Sequence, residues 1–250
     1  MAAALAFAFL GGLLAGSFVT VVAHRVPRGE SIVGPRSRCP GCGAQIAAYD
    51  NVPVFSWLLL RGRARCCGTP ISPRYPLTEL TLGVLYAATV AVLWDDPTEA
   101  VLGLVFVTTL TAVTLTDLER RIIPNKILIV AAVLGVAIAA IGDPSSLPER
   151  AIAAVAAGGL LFAAALAYPR GMGLGDVKLA AVMGLFLGRN VAPAILVALL
   201  AGSLVGLAMI AREGVAARKR AIPFGPFLAL GGVVGLLLGD QIVDLYLSTF

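Results

Sequence analysis

Apolar runs of about 20 residues follow one another along most of this chain, the length needed to cross a hydrocarbon core about 30 Å thick. Short polar stretches rich in Gly and Pro separate them, as expected of turns. Read this way, the sequence predicts eight membrane helices, over residues 3–23, 77–94, 99–116, 126–141, 151–168, 177–188, 191–211 and 224–245. The strict period-two alternation of a membrane β-barrel is absent. The expected fold is therefore all-α and polytopic. One connection, residues 25–76, is far longer than ordinary loops, and long loops tend to be functional. The expected organisation is a first helix over 1–24, a small Cys-containing domain over 25–76, and a seven-helix membrane domain over 77–250.

Composition agrees with this pattern. The chain has 250 residues, of which 59% are hydrophobic and only 13% charged, against about 25% charged in a soluble domain. The net charge of +5 could suggest nucleic acid, but its distribution points to topology. If residues 25–76 are cytoplasmic and the helices alternate from there, all 19 Lys and Arg residues but two, Arg150 and Arg189, fall on the cytoplasmic side. That is the positive-inside bias of membrane proteins. It places both termini outside the cytoplasm and calls for a bilayer, not nucleic acid, as partner. The first apolar run has no Lys or Arg before it, so it lacks the n-region of a signal peptide and reads as a retained helix. Glycines spaced by four (Gly231, Gly235 and Gly239; Gly202 and Gly206; Gly184 and Gly188) are expected to let helices pack closely.

Two carboxylates stand out against the apolar background. Asp117 lies in Thr116-Asp117-Leu118-Glu119-Arg120-Arg121, and Asp176 closes Gly171-Met172-Gly173-Leu174-Gly175-Asp176. A carboxylate beside lipid costs about 2.5–3.5 kcal/mol on insertion scales, which makes each a candidate site residue. The charge map puts both at the cytoplasmic face. Paired there, one ionised and one protonated, they could hydrolyse a peptide: the first activates water and the second polarises the carbonyl. Gly173 and Gly175 would let backbone or substrate approach. Other readings stay open at this point. Asp176 could be a helix N-cap after a Gly-rich turn, and Asp117 a solvated loop carboxylate paired with Arg120 or Arg121. The two could also form the relay of a proton-coupled transporter, although such sites favour the midplane and repeat symmetry.

The order of motifs resembles that of the prepilin leader peptidase/N-methyltransferase family, within the GxGD class of membrane aspartyl proteases. The resemblance rests on Gly16-Ser17-Phe18, His24-Arg25, Ser37-Arg38-Cys39-Pro40-Gly41-Cys42, Tyr49-Asp50-Asn51-Val52-Pro53 and Ser56-Trp57. It continues through Pro70-Ile71-Ser72-Pro73-Arg74-Tyr75-Pro76, Glu79, Asp117 with Pro124-Asn125, Gly171 to Lys178, and Pro223-Phe224-Gly225-Pro226-Phe227. It implies an enzyme of the bacterial inner membrane that cleaves the basic leader of type IV prepilins or pseudopilins. It also implies N-methylation of the new N-terminus with S-adenosylmethionine. Asp117 and Asp176 then map onto the catalytic aspartates, with Gly173, Gly175 and Lys178 supporting their loop. Arg120, Arg121 or Lys178 is expected to meet a glutamate of the substrate.

The cysteines depart from the family pattern. Cys39-x-x-Cys42 is half of a tetrahedral zinc site. The family's second CxxC falls where Ala64-Arg65-Cys66-Cys67 stands here: Cys67 matches the last ligand, Ala64 replaces the third, and Cys66 is displaced. The expected ligands of a structural zinc are Cys39, Cys42, Cys66 and Cys67, with His24 or Asp50 as substitutes for one thiol. Adjacent cysteines diverge unless the backbone turns sharply, and reduced thiols without metal are the alternative in the cytoplasm. His24, the single histidine, reads as a polar anchor at the membrane interface.

Overall fold

Every apolar run becomes a helix in the computed structural model, which describes residues 1–34, 36–168, 172–214 and 222–249. The fold is all-α. The helices are α1 (Ala2–Arg25), a short α2 (Phe55–Leu59), α3 (Arg74–Val92), α4 (Pro97–Arg120), α5 (Asn125–Gly142), α6 (Leu147–Ala167), α7 (Leu174–Leu187), α8 (Val191–Glu213) and α9 (Gly225–Leu247). Seven stretches of the described residues are long and apolar enough to cross a membrane. The count of eight expected from sequence differs only because 174–213 counts once; the 3₁₀ turn Gly188–Asn190 divides it into α7 and α8. Arg170, Gly171, Arg218, Lys219 and Arg220, which entered the charge map or the glycine motif, lie outside the described residues.

The chain divides into two compact units, Met1–Trp94 and Asp95–Phe250. In the first, α1 and α3 pack antiparallel through small residues. A Cβ on Gly12 would lie 2.5 Å from the Leu82 carbonyl, and one on Gly16 would lie 2.6 Å from Glu79 Cα. Glu79 is only 7% exposed. Its carboxylate accepts a hydrogen bond from the Ser17 hydroxyl and another, at 2.7 Å, from the backbone N–H of Val54 in the loop. Val54 has φ 60° and sits at the centre of a three-residue turn closed by Phe55 N–H donating to Pro53 O at 2.5 Å. Positive φ is a true outlier for a β-branched residue and costs about 1–3 kcal/mol, so the Glu79 bond holds a strained turn in place.

In the second unit, Phe106 of α4 stacks on Phe186 of α7 with ring centroids 5.1 Å apart. Leu110, Leu179, Met183 and Leu228 complete a core with almost no exposure. Gly231, Gly235 and Gly239 face Ala194 and Asn190 across the α8–α9 contact, and Gly184 faces Ala153 and Ala154 of α6, as the spacing predicted. Two glycines differ from that expectation. Gly206 has open space beside it, and Gly188 (φ +52°) serves the turn after α7, where it meets the Glu149 side chain of α6 and not another small residue.

Arg150, an exception in the charge map, is 6% exposed. Its guanidinium donates to the carbonyls of Leu185 (3.2 Å) and Phe186 (2.7 Å) at the end of α7 and to Ser146 Oγ (3.0 Å). It is also ion-paired with Glu99 in the first turn of α4. The last carbonyls of a helix have no partners within it, and a cation there is favoured. Arg150→Met strands both the carbonyls and Glu99. The expected loss is about 3–5 kcal/mol, read as a lowered thermal unfolding midpoint of the protein in detergent.

Candidate active site

Asp117 lies in the last turn of α4. The sequence-based helix ended one residue earlier, but Leu118, Glu119 and Arg120 continue it, and Arg121 stops it in the left-handed conformation (φ 55°). Asp117 is thus not a solvated loop residue; it is 6% exposed. Its Oδ2 accepts the backbone N–H of Gly225 at 2.9 Å, in a buried contact at the first residue of α9. A Cβ on Gly225 would lie 2.7 Å from that same oxygen, so only glycine lets the backbone come this close. Phe224 fixes the approach by packing its ring against Gly202 of α8.

Asp176 is not the N-cap of α7. Gly173 holds that position, and Asp176 stands in the first turn with its Oδ2 accepting the Gly173 N–H at 3.2 Å. The negative side chain sits where the helix N-terminus favours one. Gly175 lies flat against Ile123 of the α4–α5 connection, 3.1 Å from where a Cβ would be. Lys178 donates to Asn125 Oδ1 at 3.1 Å, tying the first turn of α7 to the start of α5.

These pieces enclose one cavity of about 310 Å³, lined by both aspartates, by Arg121 and Lys178, and by Gly173 and Gly175. That is the lower end of the range for small-molecule and cofactor pockets. Arg120 is exposed and is not among the lining residues. Gly225 is the site contact that sequence reasoning did not single out. It stands in a quoted motif, Pro223 to Phe227, but no local pattern says which carboxylate its N–H meets.

The first unit carries a second cluster. Two loop turns share one hydrogen-bonding scheme. Cys39 N–H donates to Ala44 O (2.8 Å) and Gly43 N–H to Cys39 O (2.9 Å); Ala64 N–H donates to Thr69 O and Gly68 N–H to Ala64 O, both at 2.8 Å. Gly43 and Gly68 have φ +72° and +71°, and the flanks pair as Arg38 with Gln45 and Arg63 with Pro70. Ala64 therefore stands where Cys39 does, Cys67 where Cys42 does, and Cys66 where Gly41 does. A Cβ on Gly41 would run into the Thr69 side chain of the opposite turn. The third position of the first turn thus points at the opposite turn, and Cys66, the third position of the second, likewise reaches across to Cys42.

The four Sγ atoms lie within 4.8 Å of one another. Cys39–Cys67 is 3.5 Å, Cys42–Cys66 3.3 Å and Cys66–Cys67 3.9 Å. A tetrahedron with Zn–S near 2.3 Å has edges of about 3.8 Å, so the donor set fits a metal of that kind. The expected divergence of the adjacent thiols does not occur, because the turn over Arg65–Cys67 bends the backbone between them. Asp50 is occupied elsewhere, in a two-pronged pair with Arg65 (2.9–3.1 Å). Among the described residues the metal-capable group contains cysteines alone, without His24. Thr69, through its hydroxyl and backbone, lowers the Cys67 thiol to about 6. Hydrogen bonding to Cys42 and Cys39 pushes Cys66 up to about 12. All four thiols are free.

A membrane protein with paired aspartates at helix ends and a four-cysteine loop belongs to a recognisable class. Residues 104–211 match the type IV leader peptidase family, and residues 10–93 match the bacterial peptidase A24 N-terminal domain. The chain is 36% identical to the prepilin leader peptidase/N-methyltransferase of Aeromonas hydrophila, covering 97% of this chain and 93% of that one. It is 34% identical to the protein of the same name from Bacillus subtilis, covering 98% of each. The chain belongs to the prepilin leader peptidase/N-methyltransferase family. No solved structure matches it.

Proposed function

We propose that the protein cleaves the leader of type IV prepilins or pseudopilins at the cytoplasmic membrane face, with Asp117 and Asp176 as its aspartic dyad. The observation that carries this reading is that both carboxylates line the same cavity. One carboxylate takes a proton from water, which adds to the scissile carbonyl; the other, protonated, polarises that carbonyl. The tetrahedral intermediate collapses, the C–N bond breaks, and the new amine takes up a proton. The pair shares one proton, because two adjacent charges cannot both persist. Both aspartates stand in terminal helix turns, at the level where a prepilin's apolar helix would meet water. That suits an interfacial peptide bond better than a midplane proton relay.

Arg121 and Lys178 give the cavity a cationic side, suited to a glutamate near the start of the mature pilin. Arg120, outside the lining, is the weaker candidate. The relatives' name supports a second activity, transfer of a methyl group from S-adenosylmethionine to the new N-terminus. The test uses a purified prepilin and the full protein in vesicles. Mass of the product's N-terminus, with and without S-adenosylmethionine, reads cleavage and methylation separately. An uncleaved prepilin would overturn the first assignment, and an unmethylated product the second.

In this reading the four thiols hold a structural zinc ion, which supplies a cross-link to a loop too small for a core of its own. The third ligand has moved from position 64 to position 66. Cys66→Ser is expected to lose bound zinc, and Cys66→Ala combined with Ala64→Cys to regain it, as read by metal content per chain. Failure of the double substitution would mean that the two turns are not equivalent.

A further inference from the structure

We infer that the loop helix α2 is an interfacial anchor, inserted among the lipid headgroups and upper acyl chains of the leaflet beside the cysteine-bearing loop. Hydrogen bonds to Glu79 fix the depth of the loop. Val54 donates to Glu79, which lies five residues into α3 from Arg74, about 7.5 Å along the helix axis. Glu79 in turn bonds Ser17, about 12 Å before the end of α1 at Arg25 by the same rise. The loop therefore dips back alongside the two spans, and α2 starts at the next residue. Interfacial helices bury their apolar face about 5–10 Å into this boundary.

The faces of α2 fit that depth. Its inward side is occupied: Ser56 is buried and donates to Tyr49 O at 2.9 Å, and Trp57 Nε1 donates to Ile71 O at 3.0 Å. Its outward side shows Phe55, Leu58 and Leu59, each at least 60% exposed, beside exposed Val52 and Tyr49. Such a contiguous apolar face marks an interaction site. Lipid is the occupant that charge favours. Arg61 and Arg63 follow α2 directly and are exposed. The Arg65 guanidinium lies 5.5 Å from the centre of the Tyr49 ring. Residues 25–76 hold just two carboxylates, Glu30 and Asp50, and Asp50 is paired. Anionic headgroups attract basic segments of this kind. The strained Val54 turn then has a purpose: it directs the chain from Glu79 into a helix lying along the membrane surface.

The test places the photoreactive p-benzoylphenylalanine at Phe55 or Leu58 of the full chain, with exposed Gln45 as control, in vesicles of phosphatidylethanolamine and phosphatidylglycerol. Irradiation is expected to give phospholipid adducts at 55 and 58 several-fold above those at 45, read by mass. Adducts to the chain itself or to added prepilin would instead mean a protein partner. Equal lipid labelling at all three positions would show no insertion. Either result overturns the anchor.

Discussion

Asp117→Asn and Asp176→Asn are each expected to lower leader cleavage by about 10³-fold or more, with the prepilin still bound. An amide neither takes the proton of the attacking water nor shares one with its partner, and positioned acid–base catalysis is worth about 10²–10⁴-fold. The measurement is single-turnover cleavage of purified prepilin beside co-purification of the uncleaved substrate. Normal cleavage by either variant removes the dyad assignment. Loss of binding as well would instead assign the residue to substrate capture.

Gly225→Ala is expected to act on the same step from the other side of the site. The added Cβ would fall 2.7 Å from Asp117 Oδ2. Either α9 or the carboxylate must shift, and the 2.9 Å bond from Gly225 N–H is lost. Misplacement by about 1 Å can cost about 10²-fold in rate. The expected result is a kcat lowered by about 10- to 100-fold with KM little changed. Gly206→Ala is the control, since that glycine faces open space. Equal activity of the two variants would show that the α9 N-terminus has no part in holding Asp117.

Much of this was legible in the sequence. Apolar run length gave the helices, because lipid leaves the backbone few alternatives to helix. Gly173-Leu174-Gly175-Asp176 marked one half of the cavity and Asp117 the other. What could not be read were contacts made across the fold. Gly225 meets Asp117 from another helix, and Arg150 looked like a stray external cation until its carbonyl partners were seen. The cysteine turns are a different case. Spacing offered four thiols but left open whether the adjacent pair could converge, whereas the hydrogen-bonding scheme of the two turns makes Cys66 equivalent to Gly41 and so puts its thiol in reach.

Arg150 joins the opening turn of the helix that bears Asp117 to the closing turn of the helix that bears Asp176. The clasp lies at the opposite ends of both helices from their aspartates. It locks the two helices at their far ends, while the carboxylate-bearing ends are held in turn by Gly225 of α9 and by the Lys178–Asn125 bond. α7 is only about 21 Å long at 1.5 Å per residue, shorter than the hydrocarbon core. With both ends tied, so short a helix acts as a strut that sets how far Asp176 stands from its own anchored end.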